Sequence, residues 1–135
     1  MKKRLIWLLP VFVGFVVFFL FQSVFLLGYV PSESMEPTLR EGSMILGTRI
    51  YRELNNGDIV VFEHNEELFV KRIAAGPEEE ISVEGKTYCV PPNAYFVLGD
   101  NSENSYDSRY WEYPYISEEN IIAKIINPAN GINKI

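Results

Sequence analysis

The chain has 135 residues, with 12 Lys and Arg against 18 Asp and Glu and a formal net charge of −6. Three of the cations, Lys2, Lys3 and Arg4, precede a long apolar run, so the remaining nine face every acid and residues 31–135 stand near −9. That balance argues against a nucleic-acid surface, which needs a basic patch, and the single cysteine, Cys89, excludes an internal disulfide.

From Leu5 to Val30 no residue is charged. A bilayer-spanning helix needs ~20 such residues. Residues 5–30 are therefore expected to form one transmembrane anchor, with 1–4 before it and a single extracytoplasmic domain at 31–135. Cations before the run and none immediately after it predict a cytoplasmic N-terminus. A cleaved signal peptide fits less well, because its apolar region runs about 7–15 residues to a small-residue cleavage site, whereas this run is longer and ends in GYVPS.

VPSESMEPTL follows (Val30–Leu39), and Ser34 is the candidate nucleophile. An extended chain spans at most ~3.6 Å per residue, so Ser34, four residues beyond Val30, is expected within roughly 15 Å of the exit from the apolar run. A site so tethered suits substrates whose reactive bond also lies at the membrane surface.

The remainder reads as β. SMILGTRI (Ser43–Ile50) is a strand, and NNGDIVVF (Asn55–Phe62) and LFVKRI (Leu68–Ile73) form a hairpin across His64–Glu67. EISVEGKTYCV turns at Glu84–Gly85 and stops at Pro91-Pro92. AYFVLGD (Ala94–Asp100) is another strand, followed by a polar loop. ISEENIIAKII opens like a helix at Ser117–Asn120, yet IIAKII fits a strand equally well. The expected fold is mostly β: a small, coiled or barrel-like antiparallel sheet after one N-terminal transmembrane helix.

A serine needs a base to take its proton. The one histidine, His64, sits in the polar tip FEHNEE and reads as a solvated turn residue. Alternate strand residues share a face, so Lys71 is flanked by Phe69 and Ile73. If that face is interior, desolvation lowers the lysine pKa and makes a neutral amine available as general base. The pattern equally allows Lys71 on a solvated face with Arg72 turned inward. Lys86, Lys124 and Lys134 are weaker candidates. GDNSENSYDSR (Gly99–Arg109) can orient a base through a serine and hold its shape through Asp107 and Arg109, or it is an Asx/Ser turn without chemistry. No His/Cys cluster or calcium-loop spacing supports a metal. Cys89 reads as a small buried hydrophobe, and YWEYPY (Tyr110–Tyr115) either dips into a membrane interface or packs against the polar loop.

VPSESMEPTL, NGDIVVF, FVKR and GDNSENSYDSR, in this order after one anchor, resemble the successive sequence boxes of the bacterial type I signal peptidases, membrane-bound serine proteases with a Ser-Lys dyad. The resemblance runs from the anchor to about Ile125. It implies Ser34 as nucleophile, Lys71 as general base and Ser105 as the serine that orients the lysine. It further implies an oxyanion hole from the Ser34 N–H and the Ser32 hydroxyl, a structural ion pair Asp107–Arg109, and a turn at Asp100 and Asn101. Met35 and Pro37 would shape the substrate cleft. The implied activity is removal of signal peptides from translocated preproteins at the plasma membrane, with no metal or cofactor.

Glu33 stands where many relatives carry glycine, and the segment 81–90 is short; both bear on specificity more than on activity. Two rivals remain: a non-proteolytic assembly factor for surface fibres on the same scaffold, and an enzyme dedicated to one substrate such as a pilin.

Overall fold

The computed structural model describes residues 2–126; Lys134 lies outside them. The apolar run is not one element. Helix α1 covers Lys2–Val24, and the chain passes straight into strand β1, Phe25–Tyr29. Within α1, Ile6–Val24 is long and apolar enough to cross a membrane, with a mean hydropathy of 2.2 and none of it buried in the protein.

The helix thus ends six residues before the expected boundary at Val30, and the cause is tertiary. β1 pairs antiparallel with β2 (Met44–Thr48), from Phe25 opposite Thr48 to Tyr29 opposite Met44. The Arg49 N–H donates to the Val24 carbonyl at 2.7 Å, satisfying one of the acceptors that a last helical turn leaves open. Val30 is buried in the core.

The other strands are β3 (Ile59–His64), β4 (Glu67–Ala75), β5 (Glu80–Val83), β6 (Lys86–Cys89), β7 (Ala94–Leu98), β8 (Ile116–Ser117) and β9 (Ile121–Ile125). Seven of them form one antiparallel sheet in the order β1-β2-β9-β3-β4-β7-β8, and β5-β6 stand apart as a hairpin. Both expected hairpins are present. Their two-residue turns hold Asn65 and Glu66, then Glu84 and Gly85, at φ between 51° and 78°, the left-handed geometry that matches strand twist. IIAKII resolves into strand β9, and its helical start shrinks to a 3-10 turn at Glu118–Asn120. β9 lies close against β2, where a Cβ on Gly47 would sit 3.2 Å from the Ala123 Cβ. The mostly β, antiparallel class holds. Among the described residues the sheet stays open, with β1 and β8 as its edges, and closes no barrel.

Alternation along β3 sends Ile59 and Val61 into one core cluster and Val60 and Phe62 into another on the opposite face. Each fully buried side chain of this kind contributes ~1.5–3 kcal/mol. The first cluster includes Met35 and Leu39, which pins the Ser34 loop to the sheet. The second includes Trp111, which pulls the polar loop across the other face.

Candidate active site

Ser34 sits in a 3-10 turn, Glu33–Met35, entered from an extended Ser32. The turn is held on both sides. The Glu36 N–H donates to the Glu33 carbonyl at 3.0 Å, and the Leu39 N–H to the Met35 carbonyl at 2.9 Å. Met35 and Leu39 plug the core beneath. Ser34 is left 7% exposed, with its hydroxyl turned toward β4.

Lys71 reaches that hydroxyl from β4, with Nζ 2.7 Å from Ser34 Oγ. It is 3% exposed, so of the two orientations open to it, the interior one is adopted. The Phe69 ring lies 6.0 Å from Nζ. Burial is the largest influence on the amine and lowers its pKa; the Asp107 charge raises it and the Arg109 charge lowers it, and the net shift is downward.

Asp107 is wholly buried and accepts five hydrogen bonds: from the Gly99 N–H, the Ser105 hydroxyl, the Arg109 N–H and two nitrogens of the Arg109 side chain. Burial pushes its carboxyl up, but these donors together outweigh that and hold it below the ordinary carboxylate range. Arg109 also reaches Glu84 at the β5–β6 turn, 3.1 Å away. The Ser105 hydroxyl is 2.7 Å from Asp107 Oδ2. It donates to that carboxylate.

Asp100 pairs in a two-pronged contact with Arg72, at 2.8 and 2.6 Å. Arg72 also donates to the Gly57 carbonyl at 2.7 Å and to Thr38 Oγ1 at 3.5 Å. The residue after Lys71 therefore ties β4 to the loop that follows Ser34. Asn101 completes the clamp: its N–H donates to the Ser34 carbonyl at 2.9 Å and its side chain to the Glu33 carbonyl at 3.1 Å.

Ser32 is exposed, with its hydroxyl 3.3 Å from Ser34 Oγ. Pro37 is exposed as well, and Met35 is a buried core residue. Sequence reasoning missed the parts played by Gly99 and Arg72. A Cβ on Gly99 would overlap Ser105 and come within 2.6 Å of the Ser34 carbonyl oxygen; the signal was a glycine closing a buried strand just before the polar loop.

Three other expectations change. His64 ends β3 and stacks on Trp111 with ring centroids 4.0 Å apart, because a strand and not a turn carries it. Cys89 is exposed on the small hairpin, its thiol 3.4 Å from Glu80. The aromatic stretch divides: Trp111 enters the core and Tyr115 packs near Phe96, while Tyr110 and Tyr113 are exposed.

The chain matches the protein family described as signal peptidase, peptidase S26, over residues 3–89 and 83–129. It belongs to that family. Among relatives, it is 32% identical over 143 residues to a signal peptidase I of Leptolyngbya laminosa, covering 79% of this chain and 70% of that one. It is 34% identical over 119 residues to a probable signal peptidase I-2 of Synechocystis, covering 63% and 55%. A protein of Staphylococcus aureus named inactive signal peptidase IA is 26% identical over 160 residues, covering 93% and 91%. The relatives thus include proteins named signal peptidase I and proteins named inactive signal peptidase IA. Its apolar helix α1 marks this member as membrane-anchored.

Proposed function

We propose that this signal peptidase family member is an active serine endopeptidase that removes N-terminal signal peptides from translocated preproteins, with Ser34 as nucleophile and Lys71 as general base. The observation that carries the reading is the buried contact of Lys71 Nζ with Ser34 Oγ at 2.7 Å. That separation is within reach of direct proton transfer, and burial favours the neutral amine that can accept the proton.

In this mechanism Lys71 takes the Ser34 proton as Oγ attacks the scissile carbonyl. The resulting ammonium gives that proton to the leaving amine, which departs as the mature protein's N-terminus. Lys71 then deprotonates a water that attacks the ester carbonyl, and its ammonium returns that proton to Ser34 Oγ as the ester bond breaks and the signal peptide leaves with a new carboxyl terminus. The Ser34 N–H and the Ser32 hydroxyl would donate to the tetrahedral oxyanion, an arrangement worth ~2.7–4 kcal/mol per donor. Ser105 would support the lysine indirectly, by fixing the Asp107 carboxylate whose charge acts on it. Asp100, Asn101, Asp107 and Arg109 would hold the nucleophile turn, and Pro37 would border the cleft.

The charge rule supports an N-terminus in the cytoplasm and residues after the span outside, in a bacterial plasma membrane. The relatives named inactive favour a second reading, a non-proteolytic or single-substrate assembly factor on the same scaffold.

The deciding experiment compares wild type, Ser34→Ala and Lys71→Ala in liposomes on a preprotein with Ala one and three residues before the cut. Wild type is expected to cleave it, Ser34→Ala to be inert, and Lys71→Ala to lose ~10²–10⁴-fold. A wild type that cleaves nothing favours the second reading. Retained activity in Lys71→Ala sinks the mechanism.

A further inference from the structure

A cleft of about 550 Å³ lies beside the Ser34–Lys71 pair, lined by His64, Asn65, Tyr106, Trp111, Glu112 and Tyr113. Its volume is in the ~300–1,000 Å³ range of ligand pockets, and the mechanism uses none of these side chains. One wall is the end of β3 and its turn; the other is the loop that leaves β7. Aromatic rings join the two. His64 stacks on Trp111 at 4.0 Å, and Tyr106 meets Trp111 edge-on at 6.4 Å. Tyr106 is 59% exposed, although its neighbours Ser105 and Asp107 are both buried, and Tyr113 is 60% exposed. Two tyrosines thus stand open to solvent beside a buried tryptophan.

The charge around the cleft has one sign. The lining includes one carboxylate, Glu112, and neither lysine nor arginine. Glu66 and Glu67 adjoin it, exposed, in the turn and opposite His64. Burial lowers the His64 pKa below its ordinary 6.5, so the ring adds no positive charge at neutral pH. Arg109 lies two residues before Trp111, but its charge is engaged by Asp107 and Glu84. Aromatic faces attract cations through the ring quadrupole, and a carboxylate at the rim adds to that attraction. The cleft offers both and holds no free cation of its own.

We infer that this cleft binds a lysine or arginine side chain of the substrate, within the first few residues after the cut. Reach sets the position. Ser34 Oγ, Lys71 Nζ, the Phe69 ring and the Trp111 ring follow one another at 2.7, 6.0 and 6.1 Å. The cleft is therefore within about 15 Å of the nucleophile, or four to five residues of extended peptide at ~3.3–3.6 Å each. The mature side follows from the build of a signal peptide. Its own cations precede the apolar region, and small residues lead to the cut, so those cations stay on the cytoplasmic side. Glu112 and Tyr106 would then act in specificity, favouring preproteins with a basic residue early in the mature sequence.

The inference rests on the peptidase reading, and the test separates the two. The full chain carrying Ser34→Ala is titrated in detergent with labelled peptides that span a cut and have Ala one and three residues before it. A single Lys, Gln or Glu is placed at each of the first five mature positions, and fluorescence anisotropy gives Kd. Lys at one or two adjacent positions is expected to bind several-fold tighter than Gln, and Glu more weakly. Adding Glu112→Lys is expected to reverse the order of Lys and Glu there, and adding Tyr106→Leu to shrink the Lys/Gln ratio. Taking ratios within each variant cancels any general loss of binding. An equal Lys gain at all five positions would reflect only the acidity of the domain and overturns the inference, as does a preference untouched by Glu112→Lys. Cleavage of the same peptides by wild type is scored separately. Cleavage without a Lys preference in binding leaves the peptidase and removes the cation site; a Lys preference without cleavage does the opposite.

Discussion

Lys71 is a lysine almost without solvent, flanked on its own face by Phe69 and Ile73 and facing a neutral hydroxyl. Its pKa direction has a consequence in each state of the protein. Activity on a reporter preprotein is expected to rise with pH through an apparent pKa below lysine's ordinary 10.5. Lys71→Arg, which stays charged, is expected to lack that limb. A wild-type limb at the ordinary lysine value would show that burial does not govern this amine. The stability effect has the same sign. Between the lowered folded pKa and 10.5, the unfolded chain binds more protons than the folded one. The contribution of Lys71 to stability therefore rises with pH across that window, and is least favourable below it, where the buried amine is charged.

At the scale of elements, the site is a junction of three pieces of chain: the Ser34 turn, β4, and the loop that leaves β7. Gly99 is where they come closest. Gly99→Ala is expected to cost ~1–3 kcal/mol as an overpacked position, since neither Ser105 nor the Ser34 carbonyl can retreat without breaking the Asp107 or Asn101 bonds. Urea denaturation reads the stability loss. A fall in kcat at nearly unchanged KM would locate the damage in the alignment of Ser34 with Lys71. Unchanged stability and kcat would show that the clamp tolerates movement. The strands that build this junction were readable because their β-branched runs and turn residues agree at each level. The roles of Gly99 and Arg72 were not readable, because each depends on a neighbour distant in sequence: Ser34 is 65 residues before Gly99, and Asp100 is 28 after Arg72.

For the whole molecule, the boundary between anchor and domain is the point where hydropathy alone misleads. Phe25–Val30 is as apolar as the helix before it, yet it supplies an edge strand and a core residue. Fragments beginning at Phe25 and at Pro31 are therefore expected to differ in stability. The loss of Val30 burial alone costs ~1.5–3 kcal/mol, with the β1–β2 ladder added. Comparing their denaturation midpoints in detergent checks this, and equal midpoints would show that β1 contributes nothing to the domain.

The sequence by itself determined the elements and the chemistry-bearing candidates. Charge silence from Leu5 to Val30 marked a helix suited to lipid, period-two patterning marked the strands, and four short motifs marked Ser34, Lys71, Ser105, Asp107 and Arg109. Only the tertiary structure decided which way Lys71 faces, that Ser105 bonds Asp107, that Met35 lies in the core, and where the helix gives way to strand. The physical reason is the same in each case. Propensity and periodicity are local, whereas burial, pKa and hydrogen-bond choice depend on what the rest of the chain brings within a few ångströms.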